Sequence, residues 1–158
     1  MHELFETSKT LEFAALCRGE LNQVDIDSAT HHGITVVHTP GRNAQAVAEL
    51  VVGQMFNPAR NLTQSPNFVT QNLWENPIEP YLKFIGRELS GSTLGIIGLG
   101  NIGSKLVDLA IGLKMRVLGY DPYRPTNRLP TRISITDLDS LLKKSDFVTI
   151  HIPQTEGN

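Results

Sequence analysis

Three glycines in the segment LGIIGLGNIGSKL, residues 94–106, have the spacing of a loop that binds phosphate groups. Gly98, Gly100 and Gly103 fit the pattern G-x-G-x-x-G, between a short apolar run and a stretch with apolar residues at helical spacing. In such a loop the first glycine permits a tight turn, the second lets the backbone approach a pyrophosphate, and the third lets the helix pack closely on the strand. The N-terminus of the helix adds N–H groups and a partial positive charge. The segment therefore predicts a dinucleotide site.

Asp121 is the candidate for the residue that binds the ribose of this dinucleotide. It lies eighteen positions after Gly103, at the end of the next predicted strand. A carboxylate there accepts hydrogen bonds from the adenosine ribose hydroxyls and repels a 2′-phosphate, which favours NAD over NADP. Arg124 and Arg128 follow closely and would partly offset that repulsion. The alternative is a tight strand–helix turn followed by an ordinary exposed aspartate, and the order and spacing of these residues favour the dinucleotide site.

The elements that must position this loop form a regular series from Thr93 onward. The predicted order is a strand TLGIIG, a helix, a strand over Arg116–Asp121, a helix over Thr136–Ser145 and a strand over Asp146–His151. The first helix is indicated by an apolar stripe made of Ile102, Leu106, Leu109, Ala110 and Leu113. In the second helix, Thr136 is the expected N-cap, with Asp139 in a position like that of a capping box. This βαβαβ order predicts an α/β fold whose parallel sheet has right-handed crossovers.

The residues before Thr93 give weaker signals. Leu11–Leu16 fits a strand or a helical turn, Asp27–His32 fits a short helix, and Ile34–Thr39 fits a strand. Helical spacing predicts a further helix whose apolar face comprises Ala44, Val47, Ala48, Val51 and Met55. Pro58 is expected to disturb or stop that helix near Phe56–Asn57. Three prolines between Pro66 and Pro80 indicate a long surface excursion.

Composition limits the class of protein. A chain of 158 residues with 40% hydrophobic residues suits one α/β domain with a piece of a second. A net charge of -2 argues against nucleic acid as the main partner. No apolar run approaches the ~20 residues that a membrane helix needs, and Met1–Thr10 has no apolar core of a signal peptide. The single cysteine, Cys17, favours a reducing, cytoplasmic location.

Four segments together resemble the D-isomer-specific 2-hydroxyacid dehydrogenases, especially the phosphoglycerate dehydrogenase-like branch. They are VDIDSATHHGITVVHTPGRNAQAVAELVVG, ELSGSTLGIIGLGNIGSK, MRVLGYDPY and SDFVTIHIPQT, and the resemblance extends from about Cys17 to Thr155. It implies the first βαβαβ half of a Rossmann-type sheet with a remnant of a flavodoxin-like substrate domain. Residues 1–39 then belong to a partial substrate domain and residues 40–158 to a partial NAD-binding domain. The latter would include an interdomain helix from Asn43 and, over Pro66–Arg87, the region where the family builds a dimer arm.

The resemblance also implies roles for individual residues. The cofactor would be NAD, bound by Gly98, Gly100, Asn101, Ile102, Gly103, Asp121, Pro122, Ile152 and Pro153. Arg18 and Gly19 match the loop that faces the substrate, a 2-hydroxy or 2-keto acid, and the family resemblance implies a homodimer. The arginine, acidic residue and histidine that carry out hydride transfer in the family follow the third strand, so this chain is expected to carry no catalytic residue and to be inactive alone. His151 does not match the catalytic motif, and no spacing suggests a metal site.

Three positions depart from the pattern of the family. Glu20 and Leu21 follow the CRG segment where the branch has a second glycine and a proline, and the carboxylate would repel an anionic acid. Lys114 occupies a position where a glycine usually ends the helix, and Pro58 falls inside a helix that the family continues. Two alternatives to a dehydrogenase therefore stay open, a non-catalytic NAD-binding regulatory module and a decayed fragment.

Overall fold

Two compact units make up the chain, one over Met1–Asn43 and the other over Ala44–Asn158. Their coordinates come from a computed structural model, which describes residues 2–124 and 130–153. Arg128, a predicted neighbour of the ribose site, lies outside the described residues. Within the described ranges, no helix has both the length and the apolar character needed to cross a membrane.

The first unit contains a two-stranded parallel sheet flanked by helices. Its elements are α1 (His2–Thr7), β1 (Phe13–Leu16), α2 (Ile26–His31) and β2 (Thr35–His38), and β1 pairs with β2. Leu11–Leu16 thus contains a strand rather than a helical turn, and α1 was not predicted. Asp25 caps α2, because its Oδ1 accepts a hydrogen bond of 2.8 Å from the backbone N–H of Ser28. The buried core of this unit comprises Phe5, Leu16, Val24, Ala29 and Ile34.

The second unit begins with α3 (Ala44–Arg60), which continues through Pro58. The prediction that Pro58 would stop the helix near Phe56–Asn57 is therefore wrong. Pro58 lies in the last turn, so its missing N–H removes one hydrogen bond near an end that frays anyway. The helix ends at Arg60, and the next residue, Asn61, has a left-handed φ of 54°. The side-chain oxygen of Asn57 also accepts hydrogen bonds from the backbone N–H and the hydroxyl of Thr63, which stabilises this end.

The segment from Pro66 to Pro80 is exposed at most positions, as expected for a surface excursion. It is more regular than the prolines suggested, because it includes most of α4 (Gln64–Thr70) and the start of α5 (Ile78–Lys83). Pro66 and Pro80 are each the third residue of their helix, where the N–H would lack an intrahelical acceptor in any case, so proline costs little there. The rings of Phe68 and Phe84 pack edge to face, with centroids 5.3 Å apart, and hold α4 against the end of α5.

A four-stranded parallel sheet positions the glycine loop. The strands are β3 (Thr93–Ile97), β4 (Arg116–Tyr120), β5 (Ser134–Ile135) and β6 (Phe147–Ile150), in the order β5-β4-β3-β6. The helices α6 (Asn101–Gly112) and α7 (Leu138–Lys144) complete the unit. The predicted βαβαβ series and parallel sheet are confirmed. The two-residue strand β5 was missed, because two residues are too short to show alternation.

Helices cover both faces of this sheet. The side chains of Leu94 and Ile96 belong to the core that contains α6 and α3. Gly95 points the opposite way, since side chains alternate along a strand, and a Cβ there would overlap Leu141 of α7. The second unit is therefore a three-layer arrangement, with α3 and α6 on one face of the sheet and α7 on the other.

The start of α7 differs from the prediction. Its N-cap is Asp137 rather than Thr136, because Oδ1 of Asp137 accepts a hydrogen bond of 2.9 Å from the backbone N–H of Ser140. This bond lowers the pKa of the Asp137 carboxyl below its usual value. Asp and Thr both favour the N-cap position, so the sequence pattern alone placed the start of the helix one residue too early.

A carboxylate joins the beginnings of β3 and β6. Oδ2 of Asp146 accepts a hydrogen bond of 2.8 Å from the N–H of Thr93, and Oδ1 forms an ion pair of 2.7 Å with Arg87. The bond from Thr93 is the main reason that the pKa of Asp146 is lowered, and the guanidinium of Arg87 contributes further. Because Asp146 directly precedes β6, this contact aligns the first residues of two neighbouring strands.

Lys114 ends α6 in the left-handed conformation, with φ of 59°, where a glycine would be free of strain. Its N–H donates to the carbonyl of Ile111, and the N–H of Met115 donates to that of Ala110, which is the hydrogen-bond pattern of a Schellman motif. Its own carbonyl accepts from the N–H of Gly91. The chain therefore keeps the geometry of a glycine C-cap although the side chain disfavours it.

Lys114→Gly should stabilise the second unit. Relief of the left-handed strain, ~1–2 kcal/mol, exceeds the added entropy of glycine in the unfolded chain, ~0.5–1 kcal/mol. We expect a higher free energy of unfolding in urea, followed by circular dichroism. The matched control is Lys105→Gly, at an exposed position inside the same helix, which should be destabilising. A lower stability of Lys114→Gly would contradict the assigned C-cap.

Candidate functional site

The predicted glycine loop connects the carboxyl end of β3 to the first turn of α6. Gly98 has a φ of 90°, in the left-handed region, and its N–H donates to the carbonyl of Tyr120 at 2.8 Å. A Cβ on Gly98 would lie 2.7 Å from the carbonyl oxygen of His151 and 2.7 Å from Cγ2 of Ile152. Gly98 is therefore required by its backbone conformation and by the close approach of the residues that follow β6.

The other two glycines are in contrasting surroundings. A Cβ on Gly103 would overlap the carbonyl oxygen of Gly98, so this glycine lets α6 pack against the loop from which it starts. Gly100, the N-cap of α6, has an ordinary φ of -66°, and a Cβ there would have no atom of the described residues within 4 Å. Among residues 2–124 and 130–153, neither strain nor packing explains Gly100, and these residues leave the space beside it open.

The first turn of α6 presents backbone N–H groups to this open space. The N–H of Ser104 makes the first bond of the helix, to the carbonyl of Gly100 at 3.0 Å, so those of Asn101, Ile102 and Gly103 precede the intrahelical ladder. Gly100 has no side chain that could cap them. Such N–H groups, at the positive end of a helix dipole, are suited to an anionic oxygen.

Leu99, between the two glycines, has both of its backbone polar groups bound by side chains. Its N–H donates to Oδ2 of Asp121 at 2.9 Å, and its carbonyl accepts from the hydroxyl of Ser104 at 2.8 Å. The hydroxyl of Ser104 in turn accepts a hydrogen bond of 2.9 Å from Nη1 of Arg124. Sequence analysis missed Ser104, although a serine in the first turn of a helix often bonds a nearby carbonyl.

Asp121 lies where the sequence predicted it, directly after β4 and beside the loop. Its Oδ1 accepts a hydrogen bond of 3.2 Å from the N–H of Tyr123, in addition to the bond that Oδ2 receives from Leu99. A carboxylate has about four acceptor positions, and this one is partly exposed, so it retains capacity for further donors. Pro122, the next residue, is exposed.

The segment after β6 forms a second wall beside the loop. The N–H of His151 donates to the carbonyl of Ile97 at 2.8 Å, and Ile152 contacts Gly98. Nε2 of His151 is hydrogen-bonded to the hydroxyl of Thr149 at 2.9 Å, and partial burial lowers the pKa of the imidazole. His151 is therefore neutral at pH 7. Pro153, two residues after His151, is exposed.

Arg18 and Gly19 lie in the first unit, in the loop after the carboxyl end of β1. The carbonyl of Arg18 accepts a hydrogen bond of 3.1 Å from the N–H of Thr39, and the carbonyl of Gly19 is 2.8 Å from Nδ1 of His38. The side chain of Arg18 is exposed. Glu20 is exposed as well, and its carboxylate accepts from the amide of Asn22 at 3.3 Å.

No group of three His, Cys, Asp or Glu side chains among the described residues could hold a metal ion.

Comparisons with known proteins agree with this geometry. The family model for the D-isomer specific 2-hydroxyacid dehydrogenase, NAD binding domain, matches residues 52–158. The chain is 38% identical over 155 residues to hydroxypyruvate reductase of Thermotoga maritima, covering 98% of this chain and 48% of that protein. It is 35% identical over 155 residues to D-3-phosphoglycerate dehydrogenase of Archaeoglobus fulgidus, covering 98% of this chain and 28% of that protein.

A solved structure is similar over the same extent. D-lactate dehydrogenase from Aquifex aeolicus, complexed with NAD and lactic acid, superposes with a TM-score of 0.80 at 28% identity, and the match covers 99% of this chain and 46% of that one. The chain thus spans about half the length of these relatives, or less.

The neutral state of His151 should make the stability of the fold depend on pH. Because burial lowers the pKa of His151 in the folded state, the unfolded chain binds more protons as the pH falls below the ordinary histidine value of about 6.5. The free energy of unfolding should therefore decrease between about pH 7 and pH 5. His151→Gln should flatten this dependence, as measured by urea unfolding at each pH.

The control for this measurement is His31→Gln, because His31 is exposed at the end of α2. It should leave the pH dependence of the second unit unchanged. The lowered pKa values of Asp137 and Asp146 act in a separate range, below about pH 4. An identical slope for the parent and His151→Gln between pH 7 and pH 5 would show that His151 is not the responsible group.

Proposed function

This chain belongs to the D-isomer specific 2-hydroxyacid dehydrogenase family through its NAD-binding domain, and from that premise we propose that the loop between β3 and α6 holds the pyrophosphate of NAD. The observation that carries the proposal is the open space at Gly100 beside the uncapped first turn of α6. A glycine that no described residue requires is explained by a ligand that must approach the backbone. The N–H groups of Asn101 and Ile102 would donate to the phosphate oxygens.

The other residues that are predicted to bind the cofactor would border the same loop. Asp121 would accept hydrogen bonds from the ribose hydroxyls while its other contacts keep Leu99 in place. Pro122 borders this position, and Ile152 and Pro153 would line the adenosine side of the cofactor. The repulsion between the Asp121 carboxylate and a 2′-phosphate supports a preference for NAD over NADP.

The whole protein would be an oxidoreductase that acts on the CH–OH group of a 2-hydroxy acid. Bound NAD would accept the hydride from the CH–OH carbon, and the residues of this chain would bind and orient its adenosine and pyrophosphate. The relatives named above, a hydroxypyruvate reductase, a phosphoglycerate dehydrogenase and a lactate dehydrogenase, support this class of substrate. Residues 1–39 would belong to the substrate domain, with Arg18 and Gly19 facing the acid, and residues 40–158 to the NAD-binding domain.

A homodimer is the assembly that the surface of the second unit supports. The segment that contains α4 and α5 exposes large apolar side chains, which are Trp74, Ile78, Tyr81, Leu82 and Ile85. Exposed apolar side chains that are concentrated in one segment in this way support an interface there. We also propose a cytoplasmic location, because Cys17 is the single cysteine of the sequence and a disulfide framework, as is common in oxidising compartments, is therefore not built into this chain.

Gly100→Val should weaken NAD binding without unfolding the chain. The Cβ of the valine would lie more than 4 Å from the other described residues, but the side chain would occupy the space into which the pyrophosphate must come. We expect the dissociation constant for NAD, measured by calorimetry, to rise at least about tenfold, which corresponds to about 1.4 kcal/mol.

Gly112→Val is the matched control, since Gly112 lies at the other end of α6 and a Cβ there also has open space. It should bind NAD like the parent. An unchanged NAD affinity of Gly100→Val would mean that the cofactor site is elsewhere.

Two substitutions of Asp121 separate its charge from its role in the loop. Asp121→Asn keeps an oxygen that can accept from the N–H of Leu99 but removes the negative charge. It should narrow the preference for NAD over NADP. Asp121→Ala removes both the acceptor oxygen and the negative charge. Loss of the charge-assisted bonds to the ribose should weaken the free energy of NAD binding by about 1.5–3 kcal/mol. The double variant Asp121→Asn with Arg124→Met should bind NADP more weakly than Asp121→Asn alone, because the positive charge of Arg124 is removed.

The measurement is calorimetric titration of each variant with both cofactors. Circular dichroism spectra would confirm that each variant is folded. Equal affinity of the parent chain for NAD and NADP would refute the role of the Asp121 carboxylate in selection.

A further inference from the structure

A second concave surface lies at the edge of the sheet opposite the glycine loop. It is a groove of about 770 Å³, and its lining includes Thr93, Arg116 and Ser134, the first residues of β3, β4 and β5. The glycine loop and Asp121 follow the other ends of β3 and β4. Because a strand rises ~3.3 Å per residue, the two sites are separated by roughly 13 Å of sheet. The groove is therefore distinct from the proposed NAD site.

Three cationic side chains line this groove, Arg116, Arg132 and Lys144. Arg132 forms an ion pair with Asp108. Within residues 2–124 and 130–153, the side chains of Arg116 and Lys144 make no hydrogen bond or ion pair. Their charges are therefore available to a ligand, whereas Arg132 is already partly neutralised.

The carboxylate near Arg116 does not cancel this positive charge. Asp146 is bound by the N–H of Thr93 and by the guanidinium of Arg87, which together satisfy both of its oxygens. Arg116 influences Asp146 only through space, as the last of the causes that lower the pKa of that carboxyl. The groove thus keeps a net positive potential.

The floor of the groove is apolar and its rim carries hydroxyls. Met115 and Val117 are buried beneath it, and Ile111 and Ile133 border it. The hydroxyl-bearing residues Thr131 and Ser134 lie beside the cations on the rim. Charged side chains on a convex surface are simply solvated, but here they line a concavity together with apolar side chains, a combination that suits a small-molecule ligand.

We propose that this groove binds an organic anion, a molecule with an apolar body and a terminal phosphate group. The fork of Arg116 can bind two phosphate oxygens at once, and Lys144 adds a compact charge. The apolar body would cover the floor formed by Met115 and Val117. The volume lies within the range of roughly 300–1,000 Å³ that is usual for small-molecule pockets.

The probe for this site is 2-naphthyl phosphate, which combines an apolar body with a phosphate. Calorimetric titration of the purified chain, in the presence of saturating NAD, should show binding at least about tenfold tighter than that of either 2-naphthol or inorganic phosphate. Those two compounds each contain one half of the recognition chemistry. Because saturating NAD would occupy the glycine loop, binding of the probe under these conditions would report on another site.

Variants locate the binding. Arg116→Met and Lys144→Met should each weaken the probe by about tenfold or more, and Arg116→Lys should recover part of the loss because it restores the charge. Lys105→Met, an exposed lysine on α6 outside the groove, is the matched control and should bind like the parent. Thermal melts followed by circular dichroism would verify that the variants are folded.

Several outcomes would overturn the proposal. Affinity that is unchanged in both Arg116→Met and Lys144→Met would place the probe elsewhere. Equal binding of 2-naphthol would indicate only an apolar surface, and equal binding of inorganic phosphate would indicate only an adventitious anion. Displacement of the probe by NAD would assign it to the glycine loop. A failure of NAD to bind, with the probe still bound at the groove, would count against the proposed function and leave this proposal standing.

Discussion

The close approach of Gly103 to the carbonyl of Gly98 is the contact on which the second unit depends. Any side chain at residue 103 would overlap that oxygen, so α6 could not start so near to the end of β3. The position of α6 in turn determines where α3 packs, because the buried Ala48, Met55 and Ala59 share one core with the α6 residues. One backbone contact therefore sets both the shape of the loop and the packing on one face of the sheet.

The loop is held by polar contacts as well as by its glycines. Asp121 binds the N–H of Leu99 and Ser104 binds its carbonyl, so the residue between Gly98 and Gly100 has little freedom to rotate. The same Asp121 is the candidate ligand of the ribose. In that proposed role Asp121 would hold both the loop and the ligand, and the site would be preorganised because the backbone of the loop is in place before a cofactor arrives.

Periodicity predicted the elements of the second unit that are long and regular. The apolar run of β3 and the stripe on α6 gave the right types of element, and Gly98, Gly103 and Asp121 lie together where the motif placed them. The sequence pattern could not predict contacts between residues that are distant in the chain. Arg124 reaches Ser104 only because β4 and α6 are neighbours in the fold. The effect of Pro58 was misjudged because it depends on the distance from the helix end, and α3 ends only two residues later, at Arg60.

The contact of Asp146 with Thr93 and Arg87 has a consequence for the order in which the second unit forms. It joins residues separated by 53 and 59 positions in sequence, so it can close only after a large loss of chain entropy. The segment Thr93–Tyr120, by contrast, is a contiguous strand–helix–strand whose contacts are local. Local contacts form faster than distant ones. The topology therefore favours a folding route in which β3, α6 and β4 assemble first and β6 joins the completed pair of strands last.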